Sequence, residues 1–227
     1  DGDGNDGDGN DDENIDTNLN LIQNGSFEEN NVSLNRHWAP TKSVVNWNHS
    51  SATRGIEVWT PKLGRSATDG KYKIELDLDR NRLDEISQTV TGAHDMYKYT
   101  LSLDAYARRV GSSDFEVLVN GKLIMTVKPT SNWLSYSTTF TGSPTMVVSI
   151  REMAGQDNSL GTIIDNVKLV NTGVRSNNRV QFVSVYEAGT LKTTEVRFTS
   201  SDYASDPVTY GGYIQWMAEG ETIVITK

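Results

Sequence analysis

From Leu19 onward, apolar and polar side chains alternate with a period of two, the spacing of strands rather than helices. The clearest run is Tyr97–Tyr106. There Tyr97, Tyr99, Leu101, Leu103 and Ala105 fall on one face, and Lys98, Thr100, Ser102, Asp104 and Tyr106 on the other. The same pattern predicts strands at Lys71–Leu78, Glu85–Val90, Phe115–Val119, Leu123–Val127, Trp133–Phe140, Thr145–Arg151 and Gly161–Val170. Asn120-Gly121 between two of these runs is the dipeptide of a two-residue hairpin turn. No window of helical length carries a 3.6-residue apolar stripe. Many short strands divided by turn residues predict an all-β chain whose main body, residues 19–172, is a jelly-roll β-sandwich.

A strand-rich C-terminal extension, residues 173–227, could pack on the jelly roll as a small sheet or form a separate mini-domain joined at Asn171-Thr172-Gly173. Its predicted strands are Val180–Tyr186, Thr193–Phe198, Gly212–Trp216 and Thr222–Ile225. They could form a small sheet, or pair with a neighbouring copy of the chain where they lack partners of their own.

Composition narrows the function classes. With 36% hydrophobic residues in 227, the chain can bury a sizeable core. Thirty acidic residues against 21 basic ones give a net charge of −9, which argues against nucleic acid and suits divalent cations. The absence of cysteine excludes disulfides, thiolate zinc sites and a cysteine nucleophile. No stretch is long and apolar enough to insert in a membrane. An extracellular or cell-surface setting is expected.

The first twelve residues read DGDGNDGDGNDD, within an acidic head of residues 1–18. Oxygen-bearing side chains recur among glycines at Asp1, Asp3, Asn5, Asp6, Asp8, Asn10, Asp11 and Asp12. Such spacing can supply the six to eight oxygens that calcium takes from flexible loops. It does not match an EF-hand, and it resembles the Asp-rich calcium repeats of thrombospondin type 3. A solvated acidic linker is the competing reading.

Several segments resemble the galactose-binding-like jelly rolls of carbohydrate-binding modules, and modules of large calcium-dependent (RTX-type) bacterial adhesins. They are Leu21-Ile22-Gln23-Asn24-Gly25-Ser26-Phe27-Glu28, Gly55-Ile56-Glu57-Val58-Trp59, Ala67-Thr68-Asp69-Gly70 leading to Glu75-Leu76-Asp77, Ser87-Gln88-Thr89-Val90, and Ile163 to Leu169. The resemblance implies a structural calcium between the first and last strands, held by Glu28 and Asp165. By alternation Asp165 shares a face with Ile163, Val167 and Leu169, where an unneutralised carboxylate would be costly.

A second constellation is Glu57, Trp59, Glu75 and Asp77, each opposite its apolar neighbours. If these faces adjoin, carboxylates and a tryptophan line one exposed concave surface, the mix that binds sugars. A charged but ordinary outer sheet face is the alternative. Trp47 and Arg54 would form the rim, and Arg108 could pair with an anionic ligand. His37, His49 and His94 lack zinc-ligand spacing. No phosphate loop, G-x-S-x-G elbow or H-E-x-x-H is present, so no enzyme is expected. The expected function is calcium-dependent binding of a carbohydrate or a cell-surface peptide, in adhesion. The alternative is a structural subunit in which copies of the chain join into a filament or surface layer.

Overall fold

The computed structural model describes residues 16–50, 54–78, 82–156 and 158–175, together with the backbone of the later strands. The chain divides into two compact units, Asp1–Val174 and Arg175–Lys227. In the first, the strands are β1 (Trp38–Thr41), β2 (Asn48–His49), β3 (Ile56–Trp59), β4 (Lys73–Leu76), β5 (Glu85–Thr91) and β6 (Tyr97–Ala107). They continue as β7 (Phe115–Val119), β8 (Lys122–Val127), β9 (Leu134–Thr141), β10 (Thr145–Glu152) and β11 (Thr162–Arg175). Two antiparallel sheets result, six-stranded in the order β1-β3-β4-β11-β6-β9 and five-stranded in the order β2-β5-β10-β7-β8.

Alternation builds the core between them. Tyr99, Leu101, Leu103 and Ala105 of β6 join Ile74 and Leu76 of β4 and Val58 of β3, facing Val117, Met146, Val148 and Ile150 of the five-stranded sheet. All are buried. The β7–β8 hairpin turns on Asn120 and Gly121 at φ 50° and 75°, the positive pair that a tight two-residue turn demands.

The opening segment closes onto the last strand of the sandwich. Leu21 N–H donates to the Leu169 carbonyl and Val167 N–H to the Gly25 carbonyl, both at 2.9 Å. Phe27, fully buried, packs on Trp47 with ring centroids 5.4 Å apart. Strand β11 runs through Asn171, Thr172 and Gly173. The second unit holds a three-stranded sheet, β12 (Gln181–Glu187), β13 (Thr190–Arg197) and β16 (Thr222–Thr226). A hairpin, β14 (Val208–Tyr210) with β15 (Tyr213–Gln215), completes it.

Candidate functional site

The outer face of the six-stranded sheet brings together Glu57, Trp59, Glu75 and Arg108. Directly opposed residues of antiparallel strands share a face. Trp38 therefore stands beside Trp59, Glu57 beside Glu75, and Ile163 on the other side of Glu75. Trp59, Tyr106 and Ile163 form a second apolar cluster with Leu63 and Trp133, separate from the main core. Tyr106 meets the Trp133 ring edge-on at 4.6 Å. The loop after β3 covers this cluster. Gly64, at φ 67°, lies so close that a Cβ there would stand 2.6 Å from the Tyr106 hydroxyl and 2.9 Å from the Trp59 ring. Only glycine lets the loop pass.

Trp59 is consequently 4% exposed, not the open platform that alternation alone predicted. Alternation names the face of a strand; it cannot see a loop laid over that face. Glu57, Glu75 and Asp77 are buried as well. Trp47, expected on a rim, lies in the main core and donates its indole N–H to the Asn24 carbonyl at 2.9 Å. Arg54 is exposed and donates to the Leu78 carbonyl at 3.2 Å.

Beneath the loop, Arg108 Nη1 donates to both Glu75 carboxylate oxygens at 2.7 and 2.9 Å, and Gly161 N–H adds a third bond at 2.9 Å. The Trp59 indole N–H donates to Glu57 Oε1 at 2.8 Å. The Arg108 guanidinium sits over the Trp59 ring at 5.2 Å. Burial, and then the charge of Glu57, pushes Glu75 up to about 8; burial likewise raises Glu57. Lys73 is fully buried alongside, donating to the Thr60 carbonyl at 3.2 Å, and burial lowers its pKa. The cavity next to the carboxyl pair, lined in part by His49, Glu57, Glu75 and Asp84, measures about 10 Å³. That is room for one water and far too little for a sugar ring.

Asp165 is fully buried on this same outer face. Asn166 adopts φ 54°, inserting an extra residue between Ile164 and Val167, both of which face the main core. The strict alternation that put Asp165 with Val167 and Leu169 is broken there. Its Oδ2 accepts the Thr68 and Asp69 N–H groups at 2.7 and 2.9 Å, and its Oδ1 accepts the Asn166 N–H at 2.7 Å. Glu28 Oε1 accepts the N–H groups of Lys71 and Tyr72 at 2.7 and 2.6 Å. The two carboxylates thus grip one turn, Thr68–Tyr72, from either end. N–H donors reach both Asp165 oxygens and one oxygen of Glu28. Burial pushes Asp165 up to about 6 against those donors. The acidic head, Asp1 to Asp12, lies outside the described residues.

Alternation placed Tyr106 on the polar face of its strand and Lys73 on the face of Glu75, but sequence reasoning did not single out Trp38, Tyr106 or Lys73 as site residues. Trp38 is on a strand of four residues that contains Pro40, too short to show a period. Trp38 is 39% exposed and Trp133 is half-buried, and they mark two rims of the covered cluster.

No protein-family model and no curated protein matches the sequence. Solved structures do match in shape. An arabinose-bound α-L-arabinofuranosidase, MgGH51, aligns over 67% of this chain and 26% of its own at 10% identity, with a TM-score of 0.50. TmCBM61, solved in complex with β-1,4-galactotriose, aligns over 67% of this chain and 99% of its own at 17% identity and TM-score 0.49. Tailspike protein 4 of bacteriophage CBA120 aligns over 67% of this chain and 21% of its own at 13% identity and TM-score 0.47. The fold is an all-β jelly-roll sandwich of two antiparallel sheets. This chain spans about a quarter of the arabinofuranosidase and a fifth of the tailspike domain. Family 35, 22 and 6 carbohydrate-binding modules also match in shape. No helix among the described residues is long and apolar enough to cross a membrane.

Proposed function

We propose that this chain is an extracellular, non-catalytic carbohydrate-binding module that meets its ligand on the outer face of the six-stranded sheet. One observation carries the reading: outward-facing aromatics are confined to that sheet. Trp38, Trp59, Tyr106 and Trp133 lie there, whereas the strands of the five-stranded sheet contain one phenylalanine, Phe115, and it is in the core. Sugar rings stack on indole faces through their C–H surfaces, and the exposed Trp38 and half-buried Trp133 offer such faces. Glu57, Trp59, Glu75 and Arg108 support them from below as a rigid hydrogen-bonded platform. A glycosidase needs two carboxyls flanking a bound sugar. Here the Glu57 and Glu75 carboxyls are buried and turned to Trp59 and Arg108, an arrangement that supports a binding role. The jelly-roll fold hosts many functions and does not decide between them.

The test is binding of the purified chain to soluble galactan, xylan and arabinan by affinity electrophoresis, with calcium and with EDTA. Retarded migration on at least one polysaccharide, weakened by EDTA, is expected. Free migration on all three, with capture of a peptide ligand instead, would replace the carbohydrate reading.

A further inference from the structure

The two rims of the aromatic face come from stretches whose charge is opposite to that of the chain. The whole protein is acidic, with a net charge of −9. Residues 31–68 supply Trp38 and the covering loop. They hold Arg36, Lys42, Arg54, Lys62 and Arg65 against a single acid, the buried Glu57. The stretch that supplies Trp133 has no acid between Val117 and Ile150, and it carries Lys122 and Lys128. Neutralising partners are therefore scarce within both stretches. Among the described residues ion pairs join Arg108 to Glu75 and Arg151 to Glu116, and none involves Arg36, Lys62 or Arg65.

Arg65 is held in place without being neutralised. Its Nε donates to the Ser131 carbonyl at 3.0 Å, and its guanidinium lies 5.9 Å from the centre of the Tyr106 ring. Trp133 packs on the same tyrosine at 4.6 Å, and its indole N–H donates to the Ser66 carbonyl, one residue after Arg65, at 2.9 Å. The guanidinium and the indole are neighbours on one rim. Arg65 is exposed, and among the described residues neither of its Nη groups has a partner. A guanidinium fixed through Nε and a ring keeps its planar fork in one orientation, which suits bidentate pairing with an anion. At the other rim, Thr60 Oγ1 donates to the Arg36 carbonyl at 2.7 Å and Lys62 Nζ to the Asn35 carbonyl at 3.2 Å. These bonds bring Lys62 to the turn that leads into Trp38.

An aromatic ring beside an unneutralised cation matches a sugar that carries an anionic group. The ring takes the C–H surface of the sugar and the cation takes the anion. A neutral sugar would use the indoles and leave the Arg65 fork idle. Nucleic acid is anionic too, but its phosphates demand concentrated Lys and Arg, which a chain of net charge −9 opposes.

We infer that the aromatic face takes an anionic polysaccharide. The Arg65 fork holds a carboxylate or sulfate group beside Trp133, and Lys62 supplies a second cation at the Trp38 rim. This inference rests on the carbohydrate reading above.

The test is calorimetry of the full chain with two matched pairs of polymers: polygalacturonate and its fully methyl-esterified form, and a sulfated galactan and its desulfated form. The parent should bind one of the anionic polymers at least about tenfold more tightly than its neutral counterpart. Which pair shows the preference tells carboxylate from sulfate. Arg65→Gln should lose most of the preference, and Arg65→Lys should keep only part of it, because a point charge replaces the fork. Lys62→Gln should lose a smaller share. Lys122→Gln, on the β7–β8 hairpin of the other sheet, should bind as the parent does. Melting curves establish that each variant is folded, and a folding failure in Arg65→Gln leaves Arg65→Lys and Lys62→Gln to decide. Equal affinity for the charged and neutral forms of both polymers would overturn this inference and leave the carbohydrate reading standing. Binding to none of the four, nor to galactan, xylan or arabinan, would overturn both. An unchanged preference in folded Arg65→Gln would remove the assigned residue. A single-stranded oligonucleotide bound as tightly as the anionic polysaccharide would replace the inference with a general polyanion surface.

Discussion

The two outer faces of the sandwich are built on opposite plans. On the five-stranded sheet, Thr89, Thr91 and Val147 point into solvent, and the Arg151–Glu116 pair is the only ion pair of that face among the described residues. On the six-stranded sheet a loop has been drawn over Trp59 and Tyr106, and Lys73, Glu57, Glu75 and Asp165 are buried on the same face. Both faces alternate in sequence as an inner apolar row and an outer mixed row. What separates them is aromatic content. Side chains as large as Trp59 and Tyr106 give the loop enough apolar surface to settle on, at roughly 25 cal/mol per Å² removed from water. Once settled, it forces the neighbouring charges to find partners inside.

The largest expected effect follows from that contrast. Trp59→Ala should destabilise the fold by about 3–5 kcal/mol, the range for deleting a buried large aromatic. Thr89→Ala on the open face should stay within about 0.5 kcal/mol. Urea denaturation measures both. Similar small values for the two would mean that the loop packs too loosely to matter.

A smaller effect concerns pH. Glu75 keeps its proton in the folded chain up to about 8, whereas the unfolded chain releases it near 4.5. The folded state thus binds more protons between those values, and stability falls as pH rises through that window. Glu75→Gln cannot release a proton and should flatten that slope. Melting curves at pH 5 and pH 8.5 read it directly. A slope identical in parent and variant would show that Arg108 keeps Glu75 ionised throughout.

The strands of the body were legible because half-buried sheets write a period of two into the chain. Tyr97–Tyr106 and Phe115–Val119 show this, with β6 and β7 lying over those residues. The residues of the candidate site were legible as neighbours across strands, since Glu57 and Glu75 are opposed in register. Their burial was not. It depends on the loop crossing over Gly64, a contact between segments whose sequences carry no shared period. Asp165 shows a second limit: one left-handed residue, Asn166, reverses which face the following side chains occupy, and nothing in the alternation marks it.

The central claim is that the aromatic outer face of the six-stranded sheet binds carbohydrate. Its most direct test is the polysaccharide affinity of the Trp38→Ala/Trp133→Ala double variant, measured against the parent and against Thr89→Ala on the opposite face. The account predicts a folded double variant whose affinity falls about tenfold or more, as loss of aromatic stacking implies, with Thr89→Ala unchanged. A double variant that binds as tightly as the parent, or a Thr89→Ala protein that loses binding, would contradict it.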